Sequence, residues 1–379
     1  MAIDFDGDGD LDLIVAQVAA PTFPATTSRL LAFRNDAGTF VDATGAILGN
    51  IQMINPRRFK VADFNKDGRS DLFVAETGTD TDPFPGGQSR LFVQTADGRL
   101  ADETSARLPA RNDYTHGADV ADVNGDDTLD IFMANFILSS APRLYLGNAA
   151  GVLADRTDLL PAYVSSGQVE TPSASFCDVN GDRRPEIILG GNYYAPTGPS
   201  SFRPNGLLMN DGGGRFAYDA AFTLPAKLPN DTANTVDIAC ADLNNDGAKD
   251  LVIASSVPPG TPGLQLLLND GAGHYRDASA SLNLTFRPNE QWVVFIYVAD
   301  INGDGAPDLL LRMNSSTYAP TGTSSILLNR GNGTFFDASA QFTANTLSGL
   351  AYGDFNRDGA MDLATIEVDK LRIFTGIRP

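Results

Sequence analysis

The sequence lacks several features that mark common functional classes. None of its 379 residues falls in a run of about 18 apolar residues, so no transmembrane helix is predicted. Only 27 lysines and arginines oppose 47 aspartates and glutamates, and the formal net charge of -20 argues against a nucleic acid partner. Phosphate-binding loops, zinc-ligand spacings and serine nucleophile elbows are also absent. These absences direct attention to the acidic residues.

Cysteine and histidine are equally scarce. The two cysteines, Cys177 and Cys240, are too few for a disulfide framework. They occupy different registers relative to the repeated motif described below, and we therefore predict two small buried residues rather than a disulfide. His116, near Asp113, and His274 are predicted to be ordinary loop or surface residues, so no catalytic residue is assigned.

A nine-residue acidic motif, Asp-x-Asp/Asn-x-Asp-Gly-x-x-Asp or a near variant, occurs seven times at intervals of 54 to 64 residues. The seven copies occupy residues 4–12, 63–71, 122–130, 178–186, 242–250, 300–308 and 354–362. Such an interval is long enough for one four-stranded propeller blade with its loops. The chain is therefore predicted to contain seven structural repeats.

Each motif is followed by an apolar run such as Asp71-Leu72-Phe73-Val74-Ala75, which predicts a buried strand B. A shorter alternating stretch before the motif predicts strand A, and a later Asn/Asp/Gly-centred hairpin predicts strands C and D. No segment has a helical apolar stripe of ten residues. We predict an all-β, seven-bladed β-propeller of four-stranded antiparallel blades over residues 1–379, with an incomplete or three-stranded closing blade.

The alternating acidic positions suit Ca²⁺, because a tight loop directs side chains one, three and five toward one centre and adds a carboxylate at position nine. A glycine at position six permits the sharp turn, but Asp127 and Arg183 replace it in the third and fourth motifs. The predicted cofactor is up to seven Ca²⁺ ions, with the site at 178–186 the weakest.

The predicted ligands supply 22 of the 47 acidic residues, and seven Ca²⁺ ions would change the net charge from -20 to -6. Without metal these carboxylates would repel one another, so binding should stabilise the fold. The predicted metal ligands are Asp4, Asp6, Asp8, Asp12, Asp63, Asn65, Asp67, Asp71, Asp122, Asn124, Asp126, Asp130, Asp178, Asn180, Asp182, Glu186, Asp242, Asn244, Asp246, Asp250, Asp300, Asn302, Asp304, Asp308, Asp354, Asn356, Asp358 and Asp362.

Helical calcium loops such as EF-hands begin with a similar pattern. Those loops carry a carboxylate at position twelve and lead into a helix, whereas position twelve here is uncharged in all seven copies. The motifs, the Asp-Leu-x-Val strand that follows them and the Asn-x-Gly-x-Gly-x-Phe hairpin resemble the FG-GAP/VCBS repeats of integrin α-subunit propellers. The resemblance implies a seven-bladed propeller with calcium in the A-to-B loops, but it implies no particular ligand.

A partner is predicted to bind the loops at the other end of each blade, between strands B and C and between D and A, which are long and varied. Aromatic rings and arginines there suit a protein or a glycan. The candidate ligand-binding residues are Tyr114, His116, Tyr163, Tyr193, Tyr194, Arg203, Arg287, Trp292 and Tyr318. The absence of a repeated aromatic position in these loops disfavours a multivalent lectin.

These observations favour a non-enzymatic, calcium-binding adhesion or binding module, either a monomer or a part of a larger chain. A carbohydrate-active enzyme such as a polysaccharide lyase, with its site at the central mouth, and a structural spacer within a larger surface protein are the alternatives. Calcium sites of modest affinity indicate an extracellular, cell-surface or periplasmic location. The start, Met1-Ala2-Ile3-Asp4, shows no leader, and we expect that a leader or an upstream domain is missing.

Overall fold

Each acidic motif separates two strands, because apolar residues flank it on both sides. The strand that follows is buried along its whole length in several repeats, as in Asp71–Glu76 and Asp250–Ser255. Both faces of such a strand pack against other strands, which explains a continuous apolar run in place of alternation. In the computed structural model, the chain forms a seven-bladed β-propeller of mostly four-stranded antiparallel blades. This confirms the predicted fold class.

The structure describes residues 1–18, 28–136, 140–167, 169–191, 204–227, 234–256, 263–284, 290–315, 324–341, 350–367 and 370–376. The chain divides into two compact units, and each is described separately. One comprises Met1–Glu170 with Ala351–Asp362, and the other comprises Thr171–Leu350 with Leu363–Pro379.

Three complete blades lie in the first unit, and a fifth short strand pairs with β3 in the first of them. Blade 1 consists of β1 (Ala2–Ile3), β2 (Asp12–Val18), β3 (Ser28–Asp36), β4 (Thr39–Asp42) and β5 (Gln52–Met53). Blade 2 consists of β6 (Pro56–Ala62), β7 (Asp71–Glu76), β8 (Arg90–Gln94) and β9 (Leu100–Asp102). Blade 3 consists of β10 (Thr115–Ala121), β11 (Asp130–Asn135), β12 (Arg143–Leu146) and β13 (Ala154–Asp155).

The second unit contains three further blades. Blade 4 consists of β14 (Ala174–Cys177), β15 (Glu186–Leu189), β16 (Gly206–Asn210) and β17 (Phe216–Ala217). Blade 5 consists of β18 (Thr235–Ala241), β19 (Asp250–Ser255), β20 (Leu264–Asn269) and β21 (Tyr275–Asp277). Blade 6 consists of β22 (Glu290–Ala299), β23 (Asp308–Ser315), β24 (Ser324–Asn329) and β25 (Phe335–Asp337).

The last blade has three strands, which is one of the two forms predicted for the closing blade. It consists of β26 (Leu350–Gly353), β27 (Asp362–Glu367) and β28 (Lys370–Phe374). Helix in the described residues is limited to single turns. These turns are α1 (Thr44–Ile47), α2 (Thr104–Arg107), α3 (Ala162–Ser165) and the 3-10 turns Thr157–Leu159, Ser279–Leu282 and Ser339–Gln341.

The hydrophobic core lies between neighbouring blades. In the second unit, Val252 and Leu266 of blade 5 pack in one buried cluster with Leu309 and Leu327 of blade 6. Blade 5 therefore buries one face against blade 4 and the other against blade 6. This arrangement explains why β19 is buried on both faces.

The prediction that Cys177 and Cys240 stay unpaired is wrong. The two residues form a disulfide that joins β14 of blade 4 to β18 of blade 5, with their Cα atoms 5.9 Å apart. Cys177 lies one residue before its motif and Cys240 lies two before, so their side chains leave their strands on opposite faces. Neighbouring blades present opposite faces to each other, and the difference in register therefore brings the two sulfur atoms together.

Amide side chains at the end of strand C connect adjacent blades within each unit. Asn269 Nδ2 donates to the carbonyl of Val179, 2.7 Å away, and Asn329 Nδ2 donates to that of Leu243, 2.8 Å away. In the first unit, Asn35 makes the same bond, 2.7 Å long, to the carbonyl of Phe355. Each accepting carbonyl belongs to position two of the acidic loop in the adjacent blade. The repeated asparagine therefore holds successive acidic loops in one register.

Candidate functional site

The seven acidic loops share one backbone conformation that folds each loop around its first aspartate. In every loop the N–H of position six donates to a carboxylate oxygen of position one, at 2.7 to 3.0 Å. The N–H of position seven likewise donates to the position-five carboxylate, at 2.7 to 3.0 Å. These bonds fix the carboxylates at positions one and five toward the inside of the turn.

Positions three and five are in direct contact. In the six loops with asparagine at position three, its Nδ2 donates to the position-five carboxylate at 2.7 to 3.1 Å. The first loop has aspartate there instead, and one oxygen from each of Asp4, Asp6 and Asp8 lies within 4.8 Å of the others. Three convergent hard oxygen donors are the chemistry that Ca²⁺ requires. The residues of this loop therefore fit the predicted ion.

Position six requires a left-handed backbone, as predicted. Gly68 has φ of +82°, and the two replacements, Asp127 and Arg183, adopt +62° and +66°. Arg183 keeps the loop hydrogen bond, because its N–H donates to Asp178 at 2.9 Å. The fourth loop thus has the same geometry as the others but places a bulky side chain in a strained conformation.

Position nine has a second role that the motif alone does not indicate. Asp308 is fully buried, and its two oxygens accept backbone N–H groups from Ile301 at 2.8 Å and from Asn329 in strand C at 2.7 Å. Asp12, Asp71 and Asp250 repeat this pattern with the corresponding residues. The position-nine carboxylate therefore joins the acidic loop to strand C.

Burial raises the pKa of these carboxyls, although the backbone N–H groups oppose the shift. The pKa rises to about 7 for Asp12 and Asp130, and to about 6 for Asp71 and Asp308. Other aspartates of the same loop raise it further by repulsion: those at positions one and five for Asp71, Asp130 and Asp308, and those at positions three and five for Asp12. A bound cation would remove this repulsion, because it favours the charged form of every carboxylate around it.

The predicted metal binding by the loop and the structural hydrogen bonds of position nine can be separated by mutation. Asp308→Ala leaves two buried N–H groups without an acceptor, and we expect it to lower the free energy of unfolding by about 3 kcal/mol. Because these two hydrogen bonds do not depend on metal, the loss should persist in EGTA, measured by urea denaturation. The matched variant Asp304→Ala, at position five of the same loop, removes an acceptor from exposed or partly buried donors and should destabilise the protein more in CaCl₂ than in EGTA. Equal losses for both variants in EGTA would contradict the assignment.

The candidate partner-binding residues that the structure describes lie at the end of the blades opposite the acidic loops. Tyr163, on α3, is 39% exposed, whereas Tyr114 is only 2% exposed and its hydroxyl donates to Asp80. Trp292 lies in β22 and is partly buried. The structure brings Tyr114 and His116 together. Tyr193, Tyr194, Arg203, Arg287 and Tyr318 lie outside the described residues.

His116 is enclosed by aromatic rings. Its ring centroid lies 4.9 Å from that of Tyr114 and 4.7 Å from that of Phe136, and Arg57 Nη1 lies 3.0 Å from its Nδ1. Because a guanidinium nitrogen only donates, Nδ1 accepts and the neutral ring carries its proton on Nε2. Burial lowers the pKa of His116 well below its ordinary value, and Arg57 and Arg58 lower it further. The imidazole is therefore neutral at pH 7.

Asp113 does not act as a partner for this histidine. One of its carboxylate oxygens accepts from the Ser140 hydroxyl at 2.9 Å, and the other lies 3.4 Å from Arg143 Nε. The backbone of Asp113 also pairs with that of Gly87. Asp113 therefore holds the loop in place through these contacts. In the described residues, no nucleophile and base are assembled around His116.

Comparison with known proteins identifies the repeat. The profile of the FG-GAP-like repeat family matches residues 4–74, 63–133, 178–253 and 242–311, which together span more than half of the chain. The chain belongs to the FG-GAP-like repeat family. Each match begins at one acidic loop and ends in strand B behind the next acidic loop. The acidic loop and the strand that follows it therefore define the repeat of this FG-GAP-like protein. No curated protein matches the sequence.

One solved structure shares this fold with a TM-score above 0.5. The protein is similar to BBS1N, crystallised in complex with ARL6DN, with 12% identity and a TM-score of 0.53 over 98% of this chain and 90% of that one. It also matches the Vibrio cholerae biofilm matrix protein Bap1, with 14% identity and a TM-score of 0.38 over 98% of this chain and 57% of Bap1. In the described residues, no helix is long and apolar enough to cross a membrane.

Proposed function

We propose that this FG-GAP-like protein is a calcium-binding, non-enzymatic binding or adhesion module that works outside the cytosol. The observation that carries the proposal is the convergence of carboxylate oxygens from Asp4, Asp6 and Asp8 in a loop whose backbone geometry recurs in all seven blades. The other six loops offer an asparagine amide oxygen at position three, which is also a hard donor for Ca²⁺. Calcium would therefore stabilise the acidic edge of each blade.

The disulfide supports the proposed location. Cys177 and Cys240 are bonded to each other, and disulfides persist in oxidising compartments such as the extracellular space and the periplasm. Free calcium is also abundant outside cells, where sites of modest affinity are filled. The family assignment, the disulfide and the acidic loops thus point to the same environment.

The proposed partner is a protein or a glycan that binds the loops opposite the acidic edge. Tyr163 presents a partly exposed ring on that side, and tyrosine is enriched among residues that dominate binding energies. His274 offers a matched aromatic surface on the acidic side, since its side chain is 60% exposed and stacks on Phe222.

Glycan and protein arrays probed with labelled protein in 2 mM CaCl₂ test this proposal. We expect a bound partner whose affinity falls at least about tenfold in Tyr163→Ala and does not change in His274→Ala. Biolayer interferometry with the partner found on the array would give both affinities. A partner lost in His274→Ala and kept in Tyr163→Ala would place recognition on the acidic side and overturn the proposal.

A further inference from the structure

Arg312 of blade 6 is a large charged residue at a position where the first five blades have a small one. Four residues after the last acidic position, the first five blades carry Ala16, Ala75, Ala134, Gly190 and Ala254. Blade 6 carries Arg312 there, in the middle of β23. A single arginine at an alanine position of a buried strand requires a physical reason, because burying a charge is unfavourable unless it is paired.

The register places Arg312 between two side chains on the same face of the sheet. Phe295 in β22 and Ser324 in β24 are its direct cross-strand neighbours. The guanidinium carbon lies 5.3 Å from the centroid of the Phe295 ring, so one face of the guanidinium is covered by the ring.

Among the residues that the structure describes, two donors in this group have no acceptor. The Nε atom of Arg312 and the hydroxyl of Ser324 are both buried, and neither has a hydrogen-bond partner in the described part of the chain. No carboxylate among those residues lies within 4.0 Å of Arg312 either. Burial lowers the pKa of Arg312, which is the direction expected for a cation without an anionic neighbour.

We propose that Arg312 and Ser324 form a binding site for an oxyanion. The guanidinium would donate from Nε and a terminal nitrogen to two oxygens of one carboxylate, sulfate or phosphate group, and Ser324 would donate to the same group. Phe295 would hold the guanidinium plane in place. Arg312 is only partly buried as a whole residue, so a small anion has access to it. The site lies in blade 6 and needs no calcium ion.

Thermal unfolding in different sodium salts tests this site. Wild-type protein in 2 mM CaCl₂ is compared in chloride, acetate and sulfate at equal ionic strength, together with Arg312→Met, which keeps an apolar stem and removes the charge. The control is Arg330→Ala, because Arg330 also stacks on a ring, that of Phe336, 5.0 Å away, but is exposed. Sulfate stabilises folded proteins in general, and comparing its effect on Tm between variants removes this common contribution.

We expect sulfate or acetate to raise the Tm of the wild type and of Arg330→Ala by about 2 °C or more beyond its effect on Arg312→Met. A gain in acetate alone would identify a carboxylate, and a gain in sulfate would identify a tetrahedral oxyanion. In chloride, Arg312→Met should raise the Tm, because it removes an unpaired buried charge. Equal salt effects in all three proteins, or a lower Tm of Arg312→Met in chloride, would overturn the proposal.

Discussion

Chelation of calcium is expected to lower the Tm of the protein by at least about 10 °C. A ligand that binds only the native state stabilises it by RT ln(1 + [L]/Kd). A site with a Kd of about 0.1 mM contributes about 1.8 kcal/mol at 2 mM Ca²⁺, and seven such sites would contribute about 13 kcal/mol. That sum is comparable to the whole stability of a typical domain. Differential scanning fluorimetry in 2 mM CaCl₂ and in excess EGTA measures the change.

Repulsion within the loops makes this effect larger than the sum of isolated sites suggests. The carboxylates of Asp4, Asp6 and Asp8 converge within 4.8 Å, and the chain carries a net charge of -20. NaCl at equal ionic strength screens this repulsion and is the control, because it should recover only part of the lost stability. The same Tm in CaCl₂, NaCl and EGTA would mean that the loops are acidic turns without bound metal.

Loss of the disulfide is the second large effect. Cys177 and Cys240 are 63 residues apart in the sequence, and closing a loop of that length restricts the unfolded chain by about 4 kcal/mol. We therefore expect the double variant Cys177→Ala/Cys240→Ala to unfold about 5 °C below the wild type. Urea denaturation in CaCl₂ gives the corresponding free energy.

Reduction provides the internal control for the disulfide. Dithiothreitol should lower the stability of the wild type toward that of the double variant and leave the double variant unchanged. Both measurements belong in CaCl₂, because the fourth acidic loop begins directly after Cys177. A double variant as stable as the oxidised wild type would show that the core between blades 4 and 5 needs no covalent bond.

The sequence was sufficient to predict the fold because the acidic motif and the strand after it recur seven times with the same apolar pattern. Asp71-Leu72-Phe73-Val74-Ala75 corresponds closely to β7, and the closing blade has the three-stranded form that was one of its two predicted forms. A repeated local pattern is readable without knowledge of distant contacts. The left-handed backbone at position six was predictable for the same reason.

Contacts between blades were harder to predict. The disulfide depends on which faces of β14 and β18 meet, and the alternation rule within one sheet led to the wrong conclusion. The second role of Asp308 and the bond from Asn329 to the adjacent loop also join residues that are distant in sequence. A repeated asparagine at the end of strand C was visible as a signal, but its partner was not.

Counting bound ions tests the central claim most directly. Equilibrium dialysis against 2 mM radioactive CaCl₂, followed by protein quantification, gives the number of Ca²⁺ ions per chain. We expect several ions, up to seven, and about one fewer in the variant Asp4→Asn/Asp8→Asn, which removes two of the three convergent carboxylates of the first loop. Less than one ion per chain, or the same number in both proteins, would contradict the assignment of the acidic loops as calcium sites.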